Sequence, residues 1–195
     1  MIWETSPAAA ELEEQVMQWL RDMIGLPNTF TGVIQDTAST ATLCALLTAR
    51  EKLTAYTVNE SGLQLQKRMR VYCSTETHSS VEKDVKIMGI GRENLVKIDV
   101  DEQEAMCVAN LEQAIENDLE QGYLPLCVVA ALGTTGTLGF DPLADIAHIC
   151  NKYRIWLHVD AAYAGSAFIL PEYQHYLLGK EVVDSLVFNP HKWLM

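Results

Sequence analysis

The residues best suited to chemistry in this chain stand just after short apolar runs. Lys192 ends Asn189-Pro190-His191-Lys192, which follows Val187-Phe188. Asp160 follows Ile155-Trp156-Leu157-His158-Val159, and His78 follows Val71-Tyr72 by way of Ser74-Thr75-Glu76-Thr77. Thr37-Ala38-Ser39-Thr40 follows Gly32-Val33-Ile34, and Gly133-Thr134-Thr135 follows the run ending at Ala131. A lysine amine in a partly desolvated pocket has a lowered pKa and can form a Schiff base. A carboxylate at the end of an apolar strand is costly unless it meets a cation. A hydroxyl-rich helix start offers free backbone N–H groups and the positive end of the helix dipole to a phosphate. Each feature also has an ordinary reading: a solvated lysine, a helix-capping Asp, a plain N-cap, a loop histidine bonded to a neighbouring hydroxyl. In open α/β sheets, however, ligands bind outside the carboxyl ends of the strands. Five run ends of this composition converge on one rim, and the convergence carries the reading.

Together these groups are the parts list for pyridoxal 5'-phosphate (PLP). An aldehyde needs an amine (Lys192), and a pyridine nitrogen needs an acid to stay protonated (Asp160). The phosphate needs a helix N-terminus, and the ring face needs a flat partner such as His78. Other nucleotide sites lack their signatures, since neither GxxxxGK[ST] nor GxGxxG occurs. His158-Val159-Asp160 could instead place two metal ligands on one side of a strand, but further histidines and carboxylates do not cluster with them in sequence, so no metal is expected.

The elements that must position these groups alternate. Ser6-Pro7 opens a helix with Leu12, Val16, Trp19, Leu20 and Met23 at helical spacing, closed by Gly25 and Pro27, and that stripe reads as packing. Helices are expected over 38–52, 79–90, 110–120 and 142–153, and strands over 69–73, 95–98, 126–131, 155–159 and 185–188. Val33-Ile34 is read as one further apolar run before a helix, and 57–66 as the loosest segment. The alternation predicts an α/β fold, a mostly parallel sheet flanked by helices on both faces with right-handed crossovers.

The 195 residues make one domain or part of a larger one, with 49% hydrophobic and 21% charged residues, as in globular chains. A formal charge of −12 argues against nucleic acid or an anionic membrane as partner. No apolar run reaches the roughly 18 residues of a membrane helix, and Met1-Ile2-Trp3-Glu4 has no secretory-signal character. Cys44, Cys73, Cys107, Cys127 and Cys150 are odd in number and lack CxxC spacing. They read as small buried thiols of a reducing, cytoplasmic protein. The apolar end Trp193-Leu194-Met195 suggests a piece of a longer protein.

Asn189-Pro190-His191-Lys192-Trp193-Leu194 resembles the Schiff-base segment of group II PLP-dependent decarboxylases, and His158-Val159-Asp160-Ala161-Ala162-Tyr163-Ala164-Gly165 resembles their pyridine-nitrogen segment. Residues 72–83, through His78, are similar to the stacking-histidine segment, and 32–39 to the phosphate segment, with Asp36 where many relatives have Gly. The likeness runs in family order over nearly the whole chain. Trp193 resembles the aromatic-L-amino-acid decarboxylase branch most. The resemblance implies the large domain of a fold-type I PLP enzyme. Residues 1–195 would be its central part, with the N-terminal segment and C-terminal small domain largely absent, and the isolated fragment inactive. It implies catalytic Lys192, His78 and Asp160. It also implies that Ala38, Ser39, Asn189 and His191 hold the phosphate and that Thr135 sits by the phenolic oxygen. It implies decarboxylation of an L-amino acid to amine and CO2, and a homodimer. The rivals are another fold-type I enzyme (transaminase, aldolase or desulfurase) and a truncated chain that only dimerises.

Overall fold

The computed structural model describes residues 3–64 and 66–194; the sequence reading of Met1, Ile2, Leu65 and Met195 lies outside the described residues. These residues form a parallel five-stranded sheet in the order β2-β1-β3-β4-β5, from β1 (Met69–Ser74), β2 (Leu95–Ile98), β3 (Leu124–Ala131), β4 (Trp156–Asp160) and β5 (Ser185–Val187). The helices are α1 (Pro7–Met23), α2 (Ala38–Leu53), α3 (Thr57–Ser61), α4 (Ser80–Ile87), α5 (Val108–Glu120), α6 (Leu143–Tyr153) and α7 (Pro190–Trp193).

Strand side chains alternate between two cores, as the two-residue period requires. Val71, Cys73, Cys127 and Val129 pack with Leu46, Val81 and Val85 beneath α2 and α4. Tyr72, Val128, Ala130, Leu157 and Val159 pack on the opposite face with Leu111, Ile115, Ile146 and Phe168. By the same alternation Trp156, His158 and Asp160 of β4 lie on the α2/α4 face. The chain leaves β1 for β2 and then returns across β1 to β3, which opens a topological switch point at the carboxyl ends of β1 and β3.

The expected α/β architecture is present, with four differences. Val33 and Ile34 pair with no strand among the described residues and are exposed, so the stretch before α2 is an extended segment, tied to α1 by the Ile34 N–H donating to Glu13 Oε1 at 2.7 Å. The segment expected to be loose contains α3, because Val58 is buried against the α2/α4 core. The α1 stripe does not pack inward: Leu12 is 60% and Trp19 56% exposed, and none of the helix's residues, all described, is buried. Residues 164–182 wind through short 3-10 turns that helical periodicity did not signal.

All five cysteines are free thiols; Cys73, Cys127 and Cys150 are buried, whereas Cys44 is exposed on α2. Burial pushes the Cys73 thiol up to about 11 and the Cys150 thiol up to about 12, so neither is a ready nucleophile. Among the described residues no helix is long and apolar enough to cross a membrane.

Candidate active site

Three strand ends come level where the cavity forms. Ala131 of β3 pairs with Asp160 of β4, and Asp160 pairs with Val187 of β5. Past this rung, the Ala161 N–H donates to Val187 O at 2.9 Å and the Asn189 N–H to Ala162 O at 3.3 Å. The two bonds hold the segment carrying Lys192 against the segment carrying Asp160. Gly165 permits the approach, because a Cβ there would stand 2.4 Å from Phe188 Cβ. Gly133, at φ +84°, makes room in the same way for Ala164.

A cavity of about 160 Å³ lies above this rung. It gathers Ala38 and Ser39 from the start of α2, His78 from beyond β1, Thr135 from beyond β3, Asp160 from β4, and Asn189 and Lys192 from beyond β5. Seven of the eight residues singled out from sequence therefore meet; His191 instead lines the neighbouring groove beside α1. Thr37, Ser80, Thr134 and Tyr163 join the lining. Tyr163 could have been suspected from its place three residues after Asp160, whereas Thr134 and Ser80 stood among several neighbouring hydroxyls with nothing to separate them.

The Asp160 carboxylate is half-buried, and its Oδ1 accepts the Ala162 N–H at 3.0 Å, which fixes the group at the strand end. Two residues back, His158 is buried within a hydrogen-bond chain. Trp156 Nε1–H donates to Ser185 Oγ (2.8 Å), Ser185 Oγ is hydrogen-bonded to His158 Nδ1 (2.9 Å), and His158 Nε2 is hydrogen-bonded to Thr42 Oγ1 (3.2 Å). Burial lowers its pKa to about 4 against the opposing pull of Asp160, so the ring is neutral at pH 7. Both ring nitrogens are engaged away from the cavity, which removes the metal-ligand reading of His158-Val159-Asp160. Among the described residues no group of three or more His, Cys, Asp or Glu is placed to hold a metal ion.

His78 presents an exposed ring. Its Nδ1 accepts the Ser80 N–H at 3.2 Å and lies 2.9 Å from Ser80 Oγ. A nitrogen that accepts a backbone N–H carries no proton, so the neutral ring has its proton on Nε2. Thr37 caps α2, its Oγ1 accepting the Thr40 N–H at 3.1 Å. The Ala38 and Ser39 N–H groups come ahead of the first intrahelical donor, the Ala41 N–H that bonds Thr37 O, and both residues line the cavity. Thr134 folds the β3 loop by accepting the Gly139 N–H at 2.8 Å, which leaves Thr135 exposed at the rim.

Lys192 differs from its expectation. It sits on the four-residue α7 rather than at a strand end, its N–H donates to Asn189 O at 3.1 Å, and its side chain is exposed rather than desolvated. The Trp193 ring meets Tyr163 edge-on at 5.3 Å, which fastens α7 to the Asp160 loop. One amine, one half-buried carboxylate, one flat imidazole and one open helix start around a single cavity fit PLP in kind.

Residues 1–195 match the family described as the pyridoxal-dependent decarboxylase conserved domain. Over 205 residues the chain is 46% identical to the aromatic-L-amino-acid decarboxylase of Bos taurus, covering 99% of this chain and 42% of that protein. Over 206 residues it is 46% identical to the histidine decarboxylase of Drosophila melanogaster, covering 99% of this chain and 24% of that one. The solved Oryza sativa TDC with PLP and tryptamine superposes with a TM-score of 0.92 at 37% identity, over 99% of this chain and 41% of that chain. The chain thus spans less than half the length of each of these relatives.

Proposed function

The chain belongs to the pyridoxal-dependent decarboxylase family, and from that premise we propose that its parent protein decarboxylates an aromatic L-amino acid to the amine and CO2. We also propose residues 1–195 as the central part of the PLP-binding large domain. The observation that carries the reading is the meeting of Lys192, Asp160, His78 and the α2 start around one cavity. When bound, PLP supplies an aldehyde that condenses with amines and a ring that accepts the electron pair left by departing CO2.

Each residue has a distinct task in this reading. Lys192 Nζ would be the amine that holds the cofactor aldehyde. Asp160 keeps Oδ1 on the Ala162 N–H, and its other oxygen would face the ring nitrogen, where its charge would hold a proton in place. His78 would stack its ring on the cofactor, and the Nε2–H that Ser80 enforces would donate to a substrate carboxylate. The Ala38 and Ser39 N–H groups, with Asn189, would take the phosphate at the positive end of α2, whereas His191 lies in the neighbouring groove. Thr135, at the cavity rim, would stand by the phenolic oxygen. Lys192 is exposed in this chain, so the cover that would dry its amine comes from elsewhere in the dimer or the parent chain.

The exposed apolar residues of α1 support a homodimer, and five free thiols support a cytoplasmic location. An aromatic substrate, imidazole included, is supported by equal identity to an aromatic-L-amino-acid and a histidine decarboxylase. The test is a CO2-release screen of the full-length protein across the amino acids, with the organic product identified by mass spectrometry. Amine plus CO2 from an aromatic substrate is expected. A keto acid instead of an amine would turn the reading into a transaminase, and no turnover with any amino acid would leave the dimerising paralogue.

A further inference from the structure

Behind Asp160 lies a buried carboxyl group that the reaction as described leaves unused. Asp84 belongs to α4, whose first residue, Ser80, lines the cavity. Positions four apart share one face of a helix, so Asp84 stands one turn beneath Ser80 on the stripe that faces the sheet. That is the face of the sheet on which Asp160 lies. Asp84 is only 3% exposed, and its Oδ2 is buried without a hydrogen-bond partner among the described residues. A carboxylate is not normally left this way, since an unpaired buried charge is strongly disfavoured.

We propose that Asp84 is a positioning residue for Asp160, a second carboxyl group behind the cavity wall whose charge state sets how firmly Asp160 holds a proton on a cationic nitrogen. The inference rests on the reading of Asp160 as the partner of the cofactor nitrogen. Burial first, and then the Asp160 charge, push the Asp84 carboxyl up to about 6, while Lys83 on its own helix pulls it down. On α2, which packs along α4, the Arg50–Glu51 ion pair lies at the far end, where Arg50 Nη1 donates to Met88 O. His158 of β4 lies on the same face of the sheet and is neutral at pH 7. Asp84 therefore carries its proton in mildly acidic solution and becomes a second negative charge near neutrality. Two like charges raise each other's proton affinity, and both favour a proton on a nitrogen held by Asp160.

The sign of the effect on stability follows from linkage. A carboxyl group whose folded pKa lies above its unfolded value costs nothing below about pH 4, and its cost grows until the folded pKa is passed. His158 has the opposite slope over nearly the same range and Asp141, also buried and raised to about 6, the same slope, so the informative quantity is the difference between Asp84→Asn and wild type.

The experiment takes the full-length protein as wild type, Asp84→Asn, Asp160→Asn and the double variant, unfolded in urea without cofactor from pH 4 to 7. The stabilisation of Asp84→Asn over wild type should grow by up to about tenfold in folding constant per pH unit and level off near pH 6. In the Asp160→Asn background it should level off at lower pH. With PLP labelled by 15N at the ring nitrogen, Asp84→Asn should release the ring proton at lower pH than wild type. Asp84→Leu, neutral and apolar, should give the same pH dependence if Asp84→Asn folds poorly. A pH-independent difference, a levelling-off that Asp160→Asn does not move, or an unchanged 15N titration would each overturn the proposal. If wild type fails to bind PLP, the decarboxylase reading fails, while the urea series still decides whether the two carboxyl groups are coupled.

Discussion

The two sides of the candidate active site are built differently. Asp160 is fixed at the end of an interior strand, next to a buried hydrogen-bond chain of Trp156, Ser185, His158 and Thr42 and above a second buried carboxyl group. Lys192 stands on a four-residue helix at the surface, held by two backbone bonds of its segment and one edge-on aromatic contact. The proton-holding side is thus supported by this chain's own core. The amine-bearing side is positioned by this chain but not dried by it. A substitution on the first side should be felt by the whole fold, and one on the second by chemistry alone.

Lys192→Ala tests this contrast most severely. In the full-length protein it should lower decarboxylation by more than about 10³-fold, the scale seen when a residue of covalent catalysis is deleted. It should also abolish the visible absorbance that PLP gains on the wild-type protein. The thermal midpoint of the cofactor-free protein should stay unchanged, because an exposed side chain is removed; a fall of many degrees would break the contrast.

His158→Ala should do the reverse, costing about 2–4 kcal/mol of stability in urea unfolding by leaving a cavity and unpairing Thr42 and Ser185. It should also carry a pH signature. The folded pKa of His158 lies below its unfolded value, so the unfolded chain takes up the extra proton as pH falls from about 6.5 toward 4. Wild type should lose His158-linked stability over that window and the variant should not, which a pH series of unfolding midpoints would register.

Gly165→Ala sits between the two sides. Its Cβ would collide with Phe188, so about 1–3 kcal/mol of destabilisation is expected together with weaker PLP binding as the Lys192 segment shifts. Unaltered PLP affinity would mean that the two segments are not held by their packing. The smallest effect is expected from Thr37→Ala, about 1 kcal/mol from the lost cap of α2, read by thermal melting.

What could be read beforehand divides along physical lines. β1, β3 and β4 announced themselves because a strand buried on both faces is a dense apolar run, and the partly buried edge strand β2 still has enough apolar residues to be located at Leu95–Ile98. Val33-Ile34 has the same local character but no partner strand among the described residues, and pairing is a property of the sheet rather than of the dipeptide. The α1 stripe has clear helical spacing, yet spacing reports only that a face is apolar, not what covers it. Residues 164–182 are shaped by contacts with α6 and α7 that leave no period. Among the site residues, those following strands were legible because topology brings strand ends together. His191 was not separable from its neighbours, since successive residues on a short helix point in different directions. Asp84 gave no sign, because a single acid in a polar-looking helix resembles any solvated one.

The shared rung of Ala131, Asp160 and Val187 has a consequence for how this protein can vary. Parallel strands that end level return by connections lying at the opposite edge of the sheet, near Gln121-Gly122 and Arg154. Inserted residues there lengthen only the return path and leave the mouth untouched, so that edge is where tags or whole modules should be accommodated.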